Sequence, residues 1–447
     1  MMDHIVNTPC GAVRGTSARV EGIVAYKGIR YATAERFAYP VEVTSWEGIY
    51  DATSYGACAY QPRAFYNEEE NPKKVFYYNE FRKGESYRYS EDCLFLNIFA
   101  PATTEKKLPV IVYIHGGGYT GGCGHEKHFD EPGWPQKGVI GVTINYRLGP
   151  LGFAVLPCLK EEAGKTGNYG LYDQLTALQW VKHNIESFGG DPNRITLMGQ
   201  SAGAMSVQQL CLSPMTKDLI HRAVMCSGGG VSRMLSTKAP EKSYPFWEMI
   251  MEKCGATTLE ELRALPVEEL FRVWQENKKG TMGGGCAPCV DGELVVGNGY
   301  AMLRAGMQHR IPYLIGTTGQ DVIPPILYAM SKKWCAAQST PSYLWFFERR
   351  LPGDDHGAWH SSDLWYWFGT LENCWRPFTD HDRALSEEMT TRLCAFAESG
   401  DPNVAPYLQW REGGKTALML GDGETTLASP SMRRLWITMF TNEAPGE

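Results

Sequence analysis

One turn constrains this chain more than any other feature. Residues 195–198 (ITLM) read as a short buried strand. Gly199-Gln200-Ser201-Ala202-Gly203 follows, and residues 204–210 have a helical pattern. The glycines let the chain reverse sharply and let helix and strand approach closely, so Ser201 is held in a strained conformation with its hydroxyl outward. The following helix points its positive N-terminus toward that hydroxyl. The alternative reading is an ordinary glycine-rich turn, and the flanking elements argue against it. Three further buried strands are expected at 94–99 (LFLNIF), 109–114 (PVIVYI) and 139–145 (VIGVTIN). Between 139–145 and 195–198 lies a helical stretch at 172–188, with Leu175, Leu178, Trp180, Val181 and Ile185 along one face. Strand, helix, strand in that order predicts a mainly parallel sheet covered by helices, an α/β fold. Residues 224–226 and 313–316 read as later strands of the same sheet.

A second motif follows the strand at 109–114. His115-Gly116-Gly117-Gly118-Tyr119 offers backbone N–H groups with no side chains to block them. A tetrahedral intermediate carries a negative oxygen that such donors stabilise, and losing one donor costs about 3–4 kcal/mol of barrier. Gly117 and Gly118 are the candidates, with the amide of Ala202 as a third donor. A phosphate loop is the rival reading, but no lysine follows at the required spacing.

Composition excludes several classes. Of 447 residues, 43% are hydrophobic and 21% charged, which does not suit a disordered chain or a coiled coil. A formal charge of −7 argues against a nucleic-acid partner. Residues 1–7 lack a basic region before an apolar run, so no secretory leader is expected. No apolar stretch approaches the ~20 residues that span a bilayer. Thirteen cysteines, an odd number spread thinly, suggest reduced thiols in a cytoplasm. Cys286 and Cys289 are spaced C-x-x-C but have no second pair at zinc-ligand distance, so no metal role is assigned to them.

These motifs belong to a larger pattern. Tyr26-Lys27-Gly28-Ile29-Arg30-Tyr31-Ala32 with Arg36-Phe37, Ser90-Glu91-Asp92-Cys93-Leu94-Phe95-Leu96-Asn97, Asn145-Tyr146-Arg147-Leu148-Gly149, residues 167–190, Asp191-Pro192 up to Ser201, and Gly400-Asp401-Pro402-Asn403 stand in sequence order. Together they resemble the type B carboxylesterases of the α/β-hydrolase superfamily, the group of cholinesterases and bacterial p-nitrobenzyl esterases, over roughly residues 10–440. Arg30 stands where proline is usual.

The resemblance implies a single α/β-hydrolase catalytic domain over 1–447, with a large, mostly parallel central sheet flanked by helices. It also implies a Ser–acid–His triad in that chain order. His360 precedes Asp363 by three and Phe368-Gly369 shortly after, as the family pattern requires, and His356 is its competitor. Histidine suits the base because its ordinary pKa is near 7. Asp321, after Gly316-Thr317-Thr318-Gly319-Gln320, stands where the family usually has glutamate, with Asp354 and Asp355 as alternatives. Aspartate is one methylene shorter, so the histidine loop should sit closer.

Only 39 positions separate Asp321 from His360, far fewer than in the relatives, which implies a trimmed wall and a more open pocket. Gln200 replaces the glutamate of cholinesterases, which weakens the case for a cationic choline substrate. Ser227 matches a buried family serine near the triad, read either as support for the triad or as plain core packing. Cys58 and Cys93 match a pair bonded in secreted relatives, expected as thiols here. Arg36 and Glu91 resemble a structural salt bridge. Trp46, Trp180, Trp365 and Trp367 are read as core in preference to pocket lining.

Three segments are expected around the site. The charged, aromatic 62–90 is either a solvated excursion or a loop over the pocket, and 231–312 and 322–359 are insertions forming its walls. A helix is expected over 259–277, and 283–285 (GGG) reads as flexible. The reading is a serine esterase for small or medium, hydrophobic or aryl esters, with no cofactor, no metal, and a small-molecule ester as its partner. It would be a monomer or a weak homo-oligomer. An acyltransferase on the same acyl-enzyme, and a non-catalytic binding protein on the same fold, are the alternatives.

Overall fold

The computed structural model describes residues 4–103, 107–233, 236–279 and 282–441. The first three residues of the leader reading lie outside it. Among the described residues, a 13-stranded sheet dominates. Its strands are β1 (His4–Thr8), β2 (Gly11–Ser17), β3 (Ile23–Arg30), β4 (Ile49–Asp51), β5 (Phe95–Pro101), β6 (Leu108–Ile114), β7 (Ile140–Ile144), β8 (Gly190–Gln200), β9 (Arg222–Cys226), β10 (Tyr313–Thr318), β11 (Ser342–Phe347), β12 (Ala417–Leu420) and β13 (Thr426–Ala428). The order across the sheet is β1-β2-β3-β5-β7-β6-β8-β9-β10-β11-β12-β13, with β4 on β2.

From β7 to β12 every neighbouring pair is parallel. Long crossovers link most of these strands, as parallel pairing requires. The N-terminal strands are joined by short turns or meet edge to edge, and β1-β2-β3-β5-β7 is antiparallel. The strand expected at 94–99 therefore exists but runs against its neighbours.

The apolar run of β6 feeds two cores. Val110, Val112 and Ile114 face one, and Ile111 and Tyr113 face the other, the period of two of a strand covered on both sides. Helices α1 (Val75–Phe81), α2 (Tyr169–Asn184), α3 (Ala202–Leu212), α4 (Val267–Asn277), α5 (Pro324–Ala336) and α6 (Asp380–Ser399) supply much of the cover. Residues of α2, α3 and α4 enter the first core, and Leu385, Met389 and Leu393 of α6 enter the second. Among the described residues, no helix is long and apolar enough to cross a membrane.

Two expectations need correction. The pattern over 259–277 is two helices, Leu259–Ala264 and α4, broken at Pro266, which lacks an N–H to continue the ladder. Residues 322–359 are not a wall insertion. They hold α5 and β11, a crossover unit of the central sheet, because 342–347 (SYLWFF) is a wholly buried apolar strand.

Candidate active site

A cavity of about 530 Å³ lies at the C-terminal ends of β6 and β8, lined by the residues that follow them and by His360. Ser201 stands between β8 and α3 with φ 54° and ψ −122°. A non-glycine residue held there costs on the order of 1–3 kcal/mol, which the surrounding contacts must offset. The Ser201 amide donates to the carbonyl of Cys226 at 2.8 Å, locking the turn to the end of β9. Both flanking glycines are steric necessities. A Cβ on Gly203 would lie 2.1 Å from the Ile114 carbonyl oxygen, and one on Gly199 would lie 2.4 Å from the oxygen of Gly203.

Gly117 and Gly118 follow β6 with φ of 103° and 62°. A Cβ on Gly117 would fall 2.0 Å from the Gly121 oxygen. The Gly117 carbonyl accepts from Thr120 and Gly121 amides at 3.0 and 3.1 Å, which closes the loop on itself. Among the described residues neither the Gly117 nor the Gly118 amide donates a hydrogen bond. The Ala202 amide opens α3 and has no intrahelical acceptor. Tyr146 supports the loop from below, donating to the His115 carbonyl at 2.9 Å and stacking on its ring.

His360 lines the same cavity as Ser201. Its Nδ1 lies 2.5 Å from Asp321 Oδ1, so Nδ1 carries the proton and Nε2 is the acceptor. Asp321 is buried and receives further donors: Thr317 Oγ1 at 2.6 Å, Thr318 Oγ1 at 3.1 Å and the Val322 amide at 2.9 Å. Burial alone would raise its pKa, but the His360 charge and these bonds overcome that and hold it at about 2. For His360, burial works downward, and the Asp321 charge and hydrogen bond win, raising its pKa above 6.5. The Ser227 hydroxyl lies near enough to help keep Asp321 ionised but closes no hydrogen bond of ordinary length.

The other ring nitrogen of His360 is also engaged. His360 Nε2 is 3.0 Å from the Gln200 side-chain nitrogen, so the amide donates to the imidazole. Among the described residues no hydrogen bond joins Ser201 Oγ to His360.

Residues 357–361 are brought to Asp321 by Gln320. Its amide donates to the Ala358 carbonyl at 2.9 Å, and its Oε1 accepts from the Ala358 amide at 2.6 Å. Gly357, at φ 69°, is the only fit there, since a Cβ would meet Gln320 Oε1 at 1.7 Å. Sequence reasoning missed this bracket; the short acid-to-histidine spacing was its one trace. Asp363 was missed as a titrating group. Among the described residues neither of its buried carboxyl oxygens closes a hydrogen bond, and burial, then the Asp321 charge, raise its pKa to about 7.

Comparison with known proteins decides the family. Residues 2–339 match the carboxylesterase family. The chain belongs to that family. A para-nitrobenzyl esterase of Bacillus subtilis (strain 168) is 36% identical over 494 aligned positions, covering 96% of each chain. A PNB esterase structure superposes with TM-score 0.82 at 27% identity, over 99% of this chain and all of the other. A carboxylesterase of Geobacillus stearothermophilus superposes with TM-score 0.79 at 28% identity, over 98% and 100%. The protein is therefore a carboxylic ester hydrolase with an α/β-hydrolase fold.

In this carboxylesterase the competing residues lie elsewhere. His356 is exposed, 3.2 Å from Asp354 and packed on Phe76. Asp354 itself binds Arg376 at 2.5 Å. Asp355 is exposed. Neither His356 nor either aspartate lines the cavity. Arg36 and Glu91 form a two-point ion pair, with Nε to Oε2 at 2.9 Å. Cys58 and Cys93 are both thiols, and Cys58 lies beside Cys123 and His125. Cys286 and Cys289 are buried thiols. Trp180, Trp365 and Trp367 are buried in the cores and Trp46 packs on Tyr50, so none of the four lines the cavity.

The segment 62–90 lies against the cavity, which Arg63, Tyr66, Lys74, Tyr77 and Phe81 line. A buried ion-pair network pins it: Arg82 meets Glu68 at 2.7 Å and Glu126 at 3.2 Å, and Arg63 meets Glu126 at 2.5 Å. From 231–312, Gln275 and Lys278 reach the cavity, and 322–359 contributes nothing to its lining.

Proposed function

We propose that this ester hydrolase works through an acyl-enzyme on Ser201, with His360 as base, Asp321 as its orienting acid, and Gly117, Gly118 and Ala202 as oxyanion donors. The observation that carries the reading is the His360–Asp321 bond on the wall of the cavity that Ser201 enters from its strained turn. His360 Nε2 releases the Gln200 amide and takes the Ser201 proton as Oγ attacks the ester carbonyl. The oxyanion collects at the three amides. The proton then passes from His360 to the leaving alcohol, and water repeats the sequence on the acyl-enzyme. Rotation of the serine hydroxyl toward His360 is a change of the kind resting sites often need.

The substrates are small or medium esters with apolar or aryl groups, which Tyr66, Tyr77, Phe81 and Phe129 of the lining would receive. Lys74 and Lys278 stand in the same lining. Arg63 and Arg82 are already matched by Glu68 and Glu126, so Lys74 favours an ester that also carries a carboxylate. We read the protein as a monomer or weak homo-oligomer. Its thirteen thiols fit a reducing compartment such as a cytoplasm.

Hydrolysis of p-nitrophenyl acetate tests the roles. His360→Gln and Asp321→Asn should lower kcat by about 10³–10⁴-fold while leaving the circular dichroism spectrum unchanged. A folded His360→Gln variant with wild-type kcat would refute the assignment.

A further inference from the structure

A second chemical cluster lies behind the oxyanion loop. Cys58, Cys123 and His125 come from two distant segments, and their ligand atoms all lie within 4.8 Å of one another. Cys58 Sγ is 3.6 Å from His125 Nε2. In a tetrahedral zinc site with Zn–S near 2.3 Å and Zn–N near 2.0–2.1 Å, the sulfur-to-nitrogen separation across the metal is also about 3.6 Å.

We propose that Cys58, Cys123 and His125 bind a thiophilic divalent cation, zinc(II) by its chemistry, with the fourth position open. Binding replaces two thiol protons, which leave to solvent. Two thiolates then neutralise the ion and the imidazole adds no charge, so a mostly buried site carries no net charge.

Three observations support a built site. Asn145 ties the two segments together before any ion binds, donating to the Ala57 carbonyl at 3.0 Å and accepting from the Gly124 amide at 2.8 Å. Tyr55 stacks on the His125 ring at 4.4 Å and fixes its plane. The Tyr87 hydroxyl is buried without a hydrogen-bond partner, and its ring lies 5.5 Å from that of His125. His125 and Tyr87 line a pocket of about 250 Å³, which gives an entry path.

The ion would act on the esterase through the backbone. Gly121 and Gly122 lie between Cys123 and the Gly117–Gly118 turn. Gln61 already holds Gly122 by two bonds of 3.0 Å. A metal at Cys58 and Cys123 clamps the base of that loop and would hold the oxyanion amides in place.

The test uses the whole reduced protein, stripped with a chelator and titrated with zinc against a chromophoric competitor, and with cobalt(II) in parallel. The expected result is one equivalent bound, a thiolate-to-cobalt charge-transfer band, and a raised Tm with zinc. Zinc should also shield Cys58 and Cys123, and no other cysteine, from alkylation mapped by peptide mass. Cys123→Ser and His125→Ala should each weaken binding beyond the roughly 10–100-fold that loss of a supporting group costs. Cys286→Ser should leave it intact. The alkylation map needs no variant, so a misfolded substitution leaves the question decidable. Binding below one equivalent, shielding of other cysteines, or full affinity in folded Cys123→Ser would overturn the proposal.

Discussion

At the scale of single residues, the chemistry depends on how His360, Asp321 and Asp363 share charge. His360 is raised above its ordinary 6.5, so kcat/KM should rise with pH through a midpoint above 6.5. Gln200→Glu would put a carboxylate where the amide now touches Nε2, favour the imidazolium, and move that midpoint higher. Stopped-flow profiles on the two proteins read this, and a flat profile from about pH 5 to 8 would contradict His360 as base. Asp363 acts in the opposite sense to a paired carboxylate. Its folded pKa of about 7 lies above the ordinary value near 3.8, so its contribution to stability is whole below about pH 4 and is lost as pH climbs toward 7. Asp363→Asn cannot ionise and should raise Tm at pH 8 while changing it little at pH 4. It should also lower the kinetic midpoint, because the Asp363 charge is one of the influences raising His360. Equal Tm shifts at both pH values would refute this account.

At the scale of elements, the loop 62–90 is pinned by charge more than by apolar contact. Arg82 is 3% exposed and binds two carboxylates. Arg82→Met would leave Glu68 and Glu126 sharing Arg63 alone, and should cost about 3–5 kcal/mol. Urea unfolding with an unchanged m-value measures it, and a loss under ~1 kcal/mol would show the network to be screened. This element marks where reading the sequence stops. The strand–turn–helix around Ser201 and the glycine run after β6 are local, and their spacing carries the geometry. The pairing of Arg82 with Glu126, or the grip of Gln320 on Ala358, joins residues 44 and 38 positions apart, and nothing in a residue's neighbours announces it. The same holds for 322–359. Its helix and strand patterns are local, but that the strand joins β10 in the central sheet depends on a partner about 29 positions away.

At the scale of the whole molecule, a net charge of −7 coexists with a cavity that carries Lys74 beside the paired arginines. Aryl half-esters of dicarboxylic acids should therefore show kcat/KM that falls several-fold from low salt to about 0.5 M, and neutral aryl esters should not. Lys74→Gln should shrink that difference; equal salt dependence for both ester classes would remove Lys74 from recognition. The central claim is that one hydroxyl among all the serines reacts. Fluorophosphonate labelling followed by intact mass and peptide mapping tests it most directly. One adduct is predicted, on the peptide carrying Ser201, absent in Ser201→Ala and slowed by about 10³-fold or more in His360→Gln. An adduct forming on Ser201→Ala at the wild-type rate would contradict it.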